Sequence, residues 1–185
     1  MNIEQLNFKN IFLIPEKKGY RVSYNMSKLK IKSPLLYIPF GIEYYNNKEI
    51  LNLIITDDNN AKINFSNYIK TIENIYKQFS KNNLSNINDE QKLNLPFVDL
   101  PPDFIKDVSK KEFIHTFKSN NNNYILRSHL KNPEIYKMDG NKKIYLEKKE
   151  IIKKNCIVIL ELSNIWVHEN KYGFVWYVTN IEITD

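Results

Sequence analysis

The sequence has 185 residues, with 27 Lys and Arg against 21 Asp and Glu, and a formal net charge of +6. Hydrophobic residues make up 42% of the chain and aromatic residues 13%, which excludes an intrinsically disordered protein. No apolar run approaches the roughly 18–20 residues of a membrane-spanning helix, and the single cysteine excludes a disulfide framework and a Cys-built zinc site. Because the first residues lack the pattern of a secretory signal, we expect one intracellular domain over residues 1–185, not secreted and not membrane-bound.

The first half of the chain is predicted to form β-strands. Pro34 and Pro39 forbid a helix in residues 33–42 and restrict that segment to an edge or bent strand. The other strands are predicted from short apolar runs or from polar and apolar residues that alternate with a period of two. These segments are residues 10–14, 20–24, 28–32 and 49–56.

One amphipathic helix is predicted over about residues 64–82. Apolar residues from Phe65 to Phe79 recur at the i, i+3, i+4 spacing that places them on one face of a helix. Asn64 or Ser66 is expected to cap its N-terminus. A long loop with three prolines is predicted to follow, over about residues 83–103.

β-structure is predicted again in the second half. Asp139-Gly140-Asn141 is a strong hairpin turn between two of its strands. Many short strands around a single helix predict a mainly β fold, an OB-like (Greek-key) β-barrel, with an immunoglobulin-like sandwich as the alternative. The strand segments are residues 112–117, 124–130, 135–138, 142–147, 156–168 and 173–183.

Residues that could support catalysis are few and scattered. His115, His129 and His168 have no metal-binding spacing, and the four glycines form no phosphate-binding loop. Cys156 could pair with a histidine as a nucleophile, but its position at the start of the most apolar strand favours a buried thiol. We therefore expect no enzymatic activity, no metal and no cofactor.

Nucleic-acid binding is suggested by two strands that carry basic residues on one face. Lys28, Lys30 and Lys32 share one such face, and Arg127, His129 and Lys131 share the other. A groove that neutralises phosphates and offers ring faces to bases needs this mixture of residues. The alternative is that these lysines cover a solvated sheet face or protect an exposed edge from aggregation.

The last predicted strand alternates aromatic residues. Tyr172, Phe174 and Trp176 fall on one face, and Tyr177 falls on the opposite face, which continues to Ile183. Because that continuation is aliphatic, we expect the Tyr177 face to be buried and the other three rings to be partly outward, where they could contact bases.

The order of these features resembles that of a known family. A strand pair is followed by a helix over residues 65–79, then by a strand with an Ile165-Trp166 pair, then by a hairpin glycine and a final strand. The strand pair contains Val22-Ser23-Tyr24-Asn25 and Leu29-Lys30-Ile31-Lys32-Ser33-Pro34-Leu35-Leu36-Tyr37-Ile38-Pro39-Phe40-Gly41-Ile42. In this order they resemble the OB-fold single-stranded-DNA-binding proteins of nucleocytoplasmic large DNA viruses, which are distantly similar to phage replication proteins of the same kind.

The resemblance implies a non-catalytic protein that coats single-stranded DNA during viral replication or recombination, in the host cytoplasm (viral factory) or nucleus. Expected partners are single-stranded DNA and, as further candidates, replication proteins and a second copy of the chain. A virion or scaffold β-barrel and an RNA-binding OB module are the alternatives. Together with the basic and aromatic faces, the resemblance predicts the nucleic-acid-binding residues Arg21, Lys28, Lys30, Lys32, Tyr37, Phe40, Lys118, Arg127, His129, Lys131, Tyr172, Phe174 and Trp176.

Overall fold

The computed structural model of the protein describes residues 7, 10–56, 58–80, 100–120 and 123–184. This part of the chain has twelve β-strands, two α-helices and a 3-10 helix over Lys148–Ile151. None of its helices is both long and apolar enough to cross a membrane. The elements are β1 (Ile11–Glu16), β2 (Gly19–Tyr24), β3 (Leu29–Lys32), β4 (Leu36–Ile38), β5 (Ile42–Tyr45), β6 (Lys48–Thr56), α1 (Asn60–Lys77), α2 (Pro102–Val108), β7 (Glu112–Ile114), β8 (Phe117–Asn120), β9 (Asn123–Asp139), β10 (Lys142–Tyr145), β11 (Lys154–His168) and β12 (Lys171–Thr184).

Five of the strands close into a ring. β11 pairs with β4, β4 with β6, β6 with β9, β9 with β12, and β12 pairs again with β11. The β9–β12 pairing is parallel and the other four are antiparallel. A small ring of five strands is the architecture of an OB-like barrel. The mainly β, OB-like fold predicted from the sequence is therefore confirmed.

β11 joins β2 and β3 to the barrel. Along its 15 residues it pairs with β2, β3, β4 and β12. β2 approaches it at Gly19, where φ is +121° and a Cβ atom would lie 2.1 Å from the carbonyl oxygen of Ile165. Glycine is required there because any side chain would overlap the neighbouring backbone.

The core lies inside the barrel and extends to α1. Leu51, Leu53 and Ile55 of β6 are fully buried, whereas the residues between them face the other side of the sheet. The predicted apolar stripe of α1 is buried in the same core and includes Ile69 and Ile72. Each such side chain contributes about 1.5–3 kcal/mol relative to an exposed one, so the docking of α1 adds substantially to stability.

The bounds of α1 differ from the predicted 64–82. The helix begins at Asn60 because the side chain of Asn59 accepts a hydrogen bond from the Lys62 backbone N–H, at 3.0 Å. The predicted caps, Asn64 and Ser66, therefore lie inside the helix. The helix ends at Lys77, and residues 81 and 82 lie outside the described residues.

Residues 83–99, most of the loop predicted over 83–103, lie outside the described part of the chain. Its last residues belong to α2, which starts at a proline, as helices often do. Phe104 of α2 is fully buried, and its ring packs edge-on against Tyr20 at 5.0 Å and Phe79 at 5.5 Å between centroids. The prediction missed α2 because it is short and has only one large core residue.

Four other predicted segments are divided differently in the structure. The predicted strand over 112–117 separates into β7 and β8, and the segments 124–130 and 135–138 form one long strand, β9. Residues 33–42 contribute β4 and the first residue of β5, which are separated by Gly41 with a φ of +77°.

The orientation predicted for the aromatic residues of β12 is wrong. Tyr172, Phe174 and Trp176 face the core and are at most 2% exposed. Thr179 has no pairing partner in β11 or in β9, although Val178 and Asn180 on either side of it are paired with both strands. Such a bulge exchanges the two faces of the strand on either side of it. Ile183 is therefore on the same side as Trp176, not on the side of Tyr177.

Candidate nucleic-acid interface

An open groove of about 830 Å³ crosses the outer face of the barrel. Its floor is formed by paired residues of two strands, Asn52 opposite Arg127 and Ile54 opposite Ile125, together with Val175 of β12. Successive side chains of a strand point to opposite faces of the sheet. The floor residues of β6 and β9 alternate with core residues, so they lie on the outer face of the barrel. We refer to this cavity as the outer groove.

Aromatic side chains lie along the rim of the outer groove. Phe40, between β4 and β5, is 69% exposed, and Tyr45, at the end of β5, is 57% exposed. Trp166 of β11 lies over Gly173, whose missing side chain leaves space for the indole ring. These rings offer faces on which flat ligands could stack.

The charge of the outer groove is positive. Lys48, Lys118 and Arg127 line it, and none of the described residues of its lining is acidic. Arg127 donates from Nε to Asn52 Oδ1 at 3.4 Å, and its guanidinium lies 5.9 Å from the centre of the Tyr45 ring. These contacts direct the guanidinium towards the rim, where an anion can reach it.

His129 is a neutral residue in this cationic surface. Its Nδ1 is buried and has no hydrogen-bond partner among the described residues, and its ring lies 5.9 Å from that of Tyr177. Burial, with the nearby charges of Lys48 and Arg127, lowers the pKa of His129 below its usual value. The imidazole is therefore uncharged at neutral pH.

The lowered pKa of His129 predicts that the affinity of this surface for a polyanion rises as the pH falls. A bound phosphate would favour the charged imidazole, so affinity should rise from about pH 7.5 to about pH 5.5, and His129→Gln should remove most of that rise. His168→Gln, on the exposed end of β11, is the control and should keep it.

Folding stability should change in the opposite sense, because the unfolded state takes up the proton first as the pH falls. Anisotropy titrations and urea melts over the pH range measure both effects, and an unchanged pH response in His129→Gln would contradict this prediction.

A second cationic surface adjoins the outer groove. The buried carboxylate of Glu161 on β11 accepts from Lys131 at 3.2 Å and lies 3.4 Å from the Nζ of Lys28. The bond to Glu161 raises the pKa of Lys131, whose Nζ also lies 5.4 Å from the centre of the Tyr177 ring. We refer to Lys28, Lys131 and Glu161 as the Glu161 cluster. Cross-strand pairing of Lys30 with Glu161, Glu161 with Tyr177, and Tyr177 with His129 connects this cluster to the groove.

The segment between β7 and β8 forms one wall of the outer groove and is held by Glu73 of α1. Glu73 is 2% exposed, and its Oε1 accepts hydrogen bonds from the backbone N–H of Thr116 at 2.9 Å, from the Thr116 hydroxyl at 2.5 Å and from the backbone N–H of Phe117 at 3.2 Å. Its Oε2 lies 2.7 Å from Nδ1 of His115. Since His115 and Thr116 line the groove, α1 fixes the position of this wall.

The structure brings together part of the predicted set. Phe40, Lys118, Arg127 and His129 line the outer groove, and Lys28 and Lys131 lie in the adjoining cluster. Lys30 is paired across from Glu161, whereas Lys32 lies further along β3, opposite Ile159.

The other predicted residues lie elsewhere. Arg21 is on β2 with its Nε 3.6 Å from Glu16, and Tyr37 is half-buried on β4. Tyr172 is sealed in the core, where its hydroxyl donates to the carbonyl of Tyr76 at 2.7 Å. Phe174 and Trp176 lie beneath the groove. Because they are at most 2% exposed, they offer no ring face to a ligand.

Several residues of this surface were not predicted from the sequence. Tyr45 is placed by a two-residue turn in which Asn46 and Asn47 both have positive φ, and an Asn-Asn pair between two strands is a recognisable signal for such a turn. Trp166 enters the prediction only as part of the Ile165-Trp166 pair and not as a binding residue. Tyr177 alternates with the core residues Trp176 and Val178, and Glu161 alternates with Leu160 and Leu162, so both lie on the face of their strands that is turned away from the core.

Other chemistry is not evident in the described part of the chain. No three of its His, Cys, Asp and Glu side chains are close enough to share a metal ion. Cys156 is fully buried, as predicted, and burial raises the pKa of its thiol to about 12, which makes it a poor nucleophile.

No family model and no curated protein matches the chain. Among solved structures it is similar to the single-stranded DNA-binding protein from bacteriophage Enc34 in complex with ssDNA, with 11% identity and a TM-score of 0.46, over 96% of this chain and 96% of that chain. It is also similar to gp2.5, a single-stranded DNA-binding protein encoded by bacteriophage T7, with 11% identity and a TM-score of 0.47, over 84% of this chain and 91% of that chain.

Proposed function

We propose that the protein binds single-stranded DNA without sequence preference, in the outer groove and across the adjoining Glu161 cluster. The observation that carries the proposal is the groove itself. It combines the exposed rings of Phe40 and Tyr45 with the cations Lys48, Lys118 and Arg127, and its described lining has no acidic residue.

Each part of the groove matches a requirement of an unpaired strand. Stacking of a base on an aromatic ring contributes about 1–3 kcal/mol for any base, so it confers affinity without sequence preference. Cations that neutralise phosphates release condensed counterions, which makes the affinity depend steeply on salt. In a duplex the base faces are covered by neighbouring bases, so Phe40 and Tyr45 would find no partner there.

The biological setting is part of the proposal. We infer a non-catalytic role in viral DNA replication or recombination, in the host cytoplasm or nucleus, as implied by the resemblance to the large-DNA-virus family. Replication proteins and a second copy of the chain are candidate partners, and residues 1–185 are proposed to act as one binding domain.

The test is an anisotropy titration with labelled oligo-dT, matched RNA and matched duplex. We expect nanomolar to micromolar binding to oligo-dT, weaker binding to duplex, and a log–log salt slope of about 0.7 per neutralised phosphate. Phe40→Ala with Tyr45→Ala should weaken binding at least about tenfold, from the loss of two stacking rings, and leave the salt slope unchanged.

The matched control is Tyr145→Ala, on β10, because Tyr145 is 65% exposed and lies outside the groove. It should bind as the parent does. Failure of the parent to bind oligo-dT would overturn the proposal, and so would equal affinity for duplex. A clear preference for the RNA would favour the RNA-binding alternative.

A further inference from the structure

The surface proposed to bind phosphates contains a buried negative charge. The side chain of Glu161 is 2% exposed, whereas those of Lys28 and Lys131 are 58% and 45% exposed. Both ammonium groups approach the same carboxylate oxygen, Oε1, at 3.4 and 3.2 Å. The carboxylate thus occupies a position between two lysines that would suit a phosphate oxygen.

This arrangement differs from a solvated surface ion pair. An exposed pair contributes little, because solvent screens both charges, but a carboxylate covered by protein loses its hydration and depends on the two lysines for compensation. Each lysine ammonium has three N–H donors. Since both side chains are half-exposed, donors remain that a ligand can reach from solvent.

The consequence for binding is a reduced positive charge. The Glu161 cluster has a net charge of one, although it holds two cations. A phosphate that approaches Lys28 and Lys131 also meets the repulsion of the carboxylate behind them, which is weakly screened because it is buried. The cluster should therefore neutralise about one phosphate rather than two.

We propose that Glu161 is an internal counter-ion that lowers the affinity of the protein for single-stranded DNA, and so keeps binding reversible. This inference rests on the proposed function. It makes Glu161 an affinity-determining residue that acts through Lys28 and Lys131 without contacting DNA itself.

The test compares Glu161→Gln with the parent in oligo-dT titrations over a range of salt concentrations. Gln has nearly the same shape and removes only the charge, so the variant should gain about one phosphate contact. We expect a salt slope steeper by about 0.7 and a five- to tenfold gain in affinity at about 50 mM salt. An unchanged or weaker affinity would overturn the inference, because it would show that Glu161 is neutral or serves to position the lysines.

The matched control is Glu134→Gln. Glu134 lies on β9 and pairs with Lys143 of the β10 hairpin at 2.9 Å, outside the groove lining, so its replacement changes the net charge of the protein equally. It should gain much less affinity. An equal gain in both variants would show that total charge alone is responsible, and would overturn the role of Glu161.

A second variant covers the case in which Glu161→Gln does not fold. Lys131→Gln leaves the cluster with no net charge and should reduce the salt slope by about 0.7, whereas Lys142→Gln on β10 should leave it unchanged. An unchanged slope in Lys131→Gln would show that the cluster does not meet DNA. If the parent itself does not bind oligo-dT, the proposed function fails; if it binds but these variants do not respond, only this inference fails.

Discussion

Replacing Lys118 and Arg127 together by Glu is expected to abolish most single-stranded DNA binding. Both side chains line the outer groove, Arg127 from its floor and Lys118 from β8, where it pairs with Ile125. Losing two phosphate contacts should reduce the salt slope by about 1.4 and the affinity by about 25-fold at about 0.1 M salt, and the two new carboxylates should repel the strand further. Anisotropy titration with oligo-dT measures both quantities.

The control is the double replacement of Lys17 and Lys18 by Glu, which changes the net charge equally in the exposed β1–β2 turn. That variant should keep most of the affinity and should differ from the parent mainly at low salt, where long-range charge matters. If both double variants lose affinity alike, binding is governed by net charge and the groove is not the site.

Glu73→Ala is expected to destabilise the fold by about 3–5 kcal/mol, because each buried donor that loses its acceptor costs about 1–3 kcal/mol. The substitution would leave two backbone N–H groups, those of Thr116 and Phe117, without their acceptor. Since a domain is stable by only about 5–15 kcal/mol, a large part of the total would be lost. Urea or thermal unfolding followed by circular dichroism measures the change.

Glu73→Gln separates the hydrogen bonds from the charge. The three hydrogen bonds of Thr116 and Phe117 all go to Oε1, which an amide oxygen can replace, so this variant should be much more stable than Glu73→Ala. A similar loss in both would show that the charge, and not the set of hydrogen bonds, is what the fold requires. A small loss in Glu73→Ala would contradict the importance given to this cluster.

Features that depend on neighbouring residues could be predicted from the sequence. The stripe of α1 from Phe65 to Phe79, the alternation of β2 and β3 and the apolar run of β6 are local patterns, and the structure has the elements they predict. The basic faces of β3 and β9 are outward for the same reason. The OB-like barrel followed from the number and length of such elements.

Features set by long-range pairing could not be predicted in this way. One extra residue, Thr179, exchanges the faces of β12, and no composition signal marks it. The outer groove is built by segments as distant as Tyr45 and Trp166, which only the closure of the barrel brings together. The same holds for Glu161, which the sequence places in an apolar strand with no indication of its two lysine partners.

The position of β11 and β12 in the chain has a consequence for how the protein is made. β11 supplies partners for β2, β3 and β4, and β12 supplies one for β9, so the ring cannot close until residues 154–184 have left the ribosome. Until then the edges of β2, β3, β4 and β9 that these two strands cover have no partners and can pair with other nascent chains. Folding dominated by contacts so distant in sequence is intrinsically slow, and this domain therefore reaches its native state only after residues 154–184 have been synthesised.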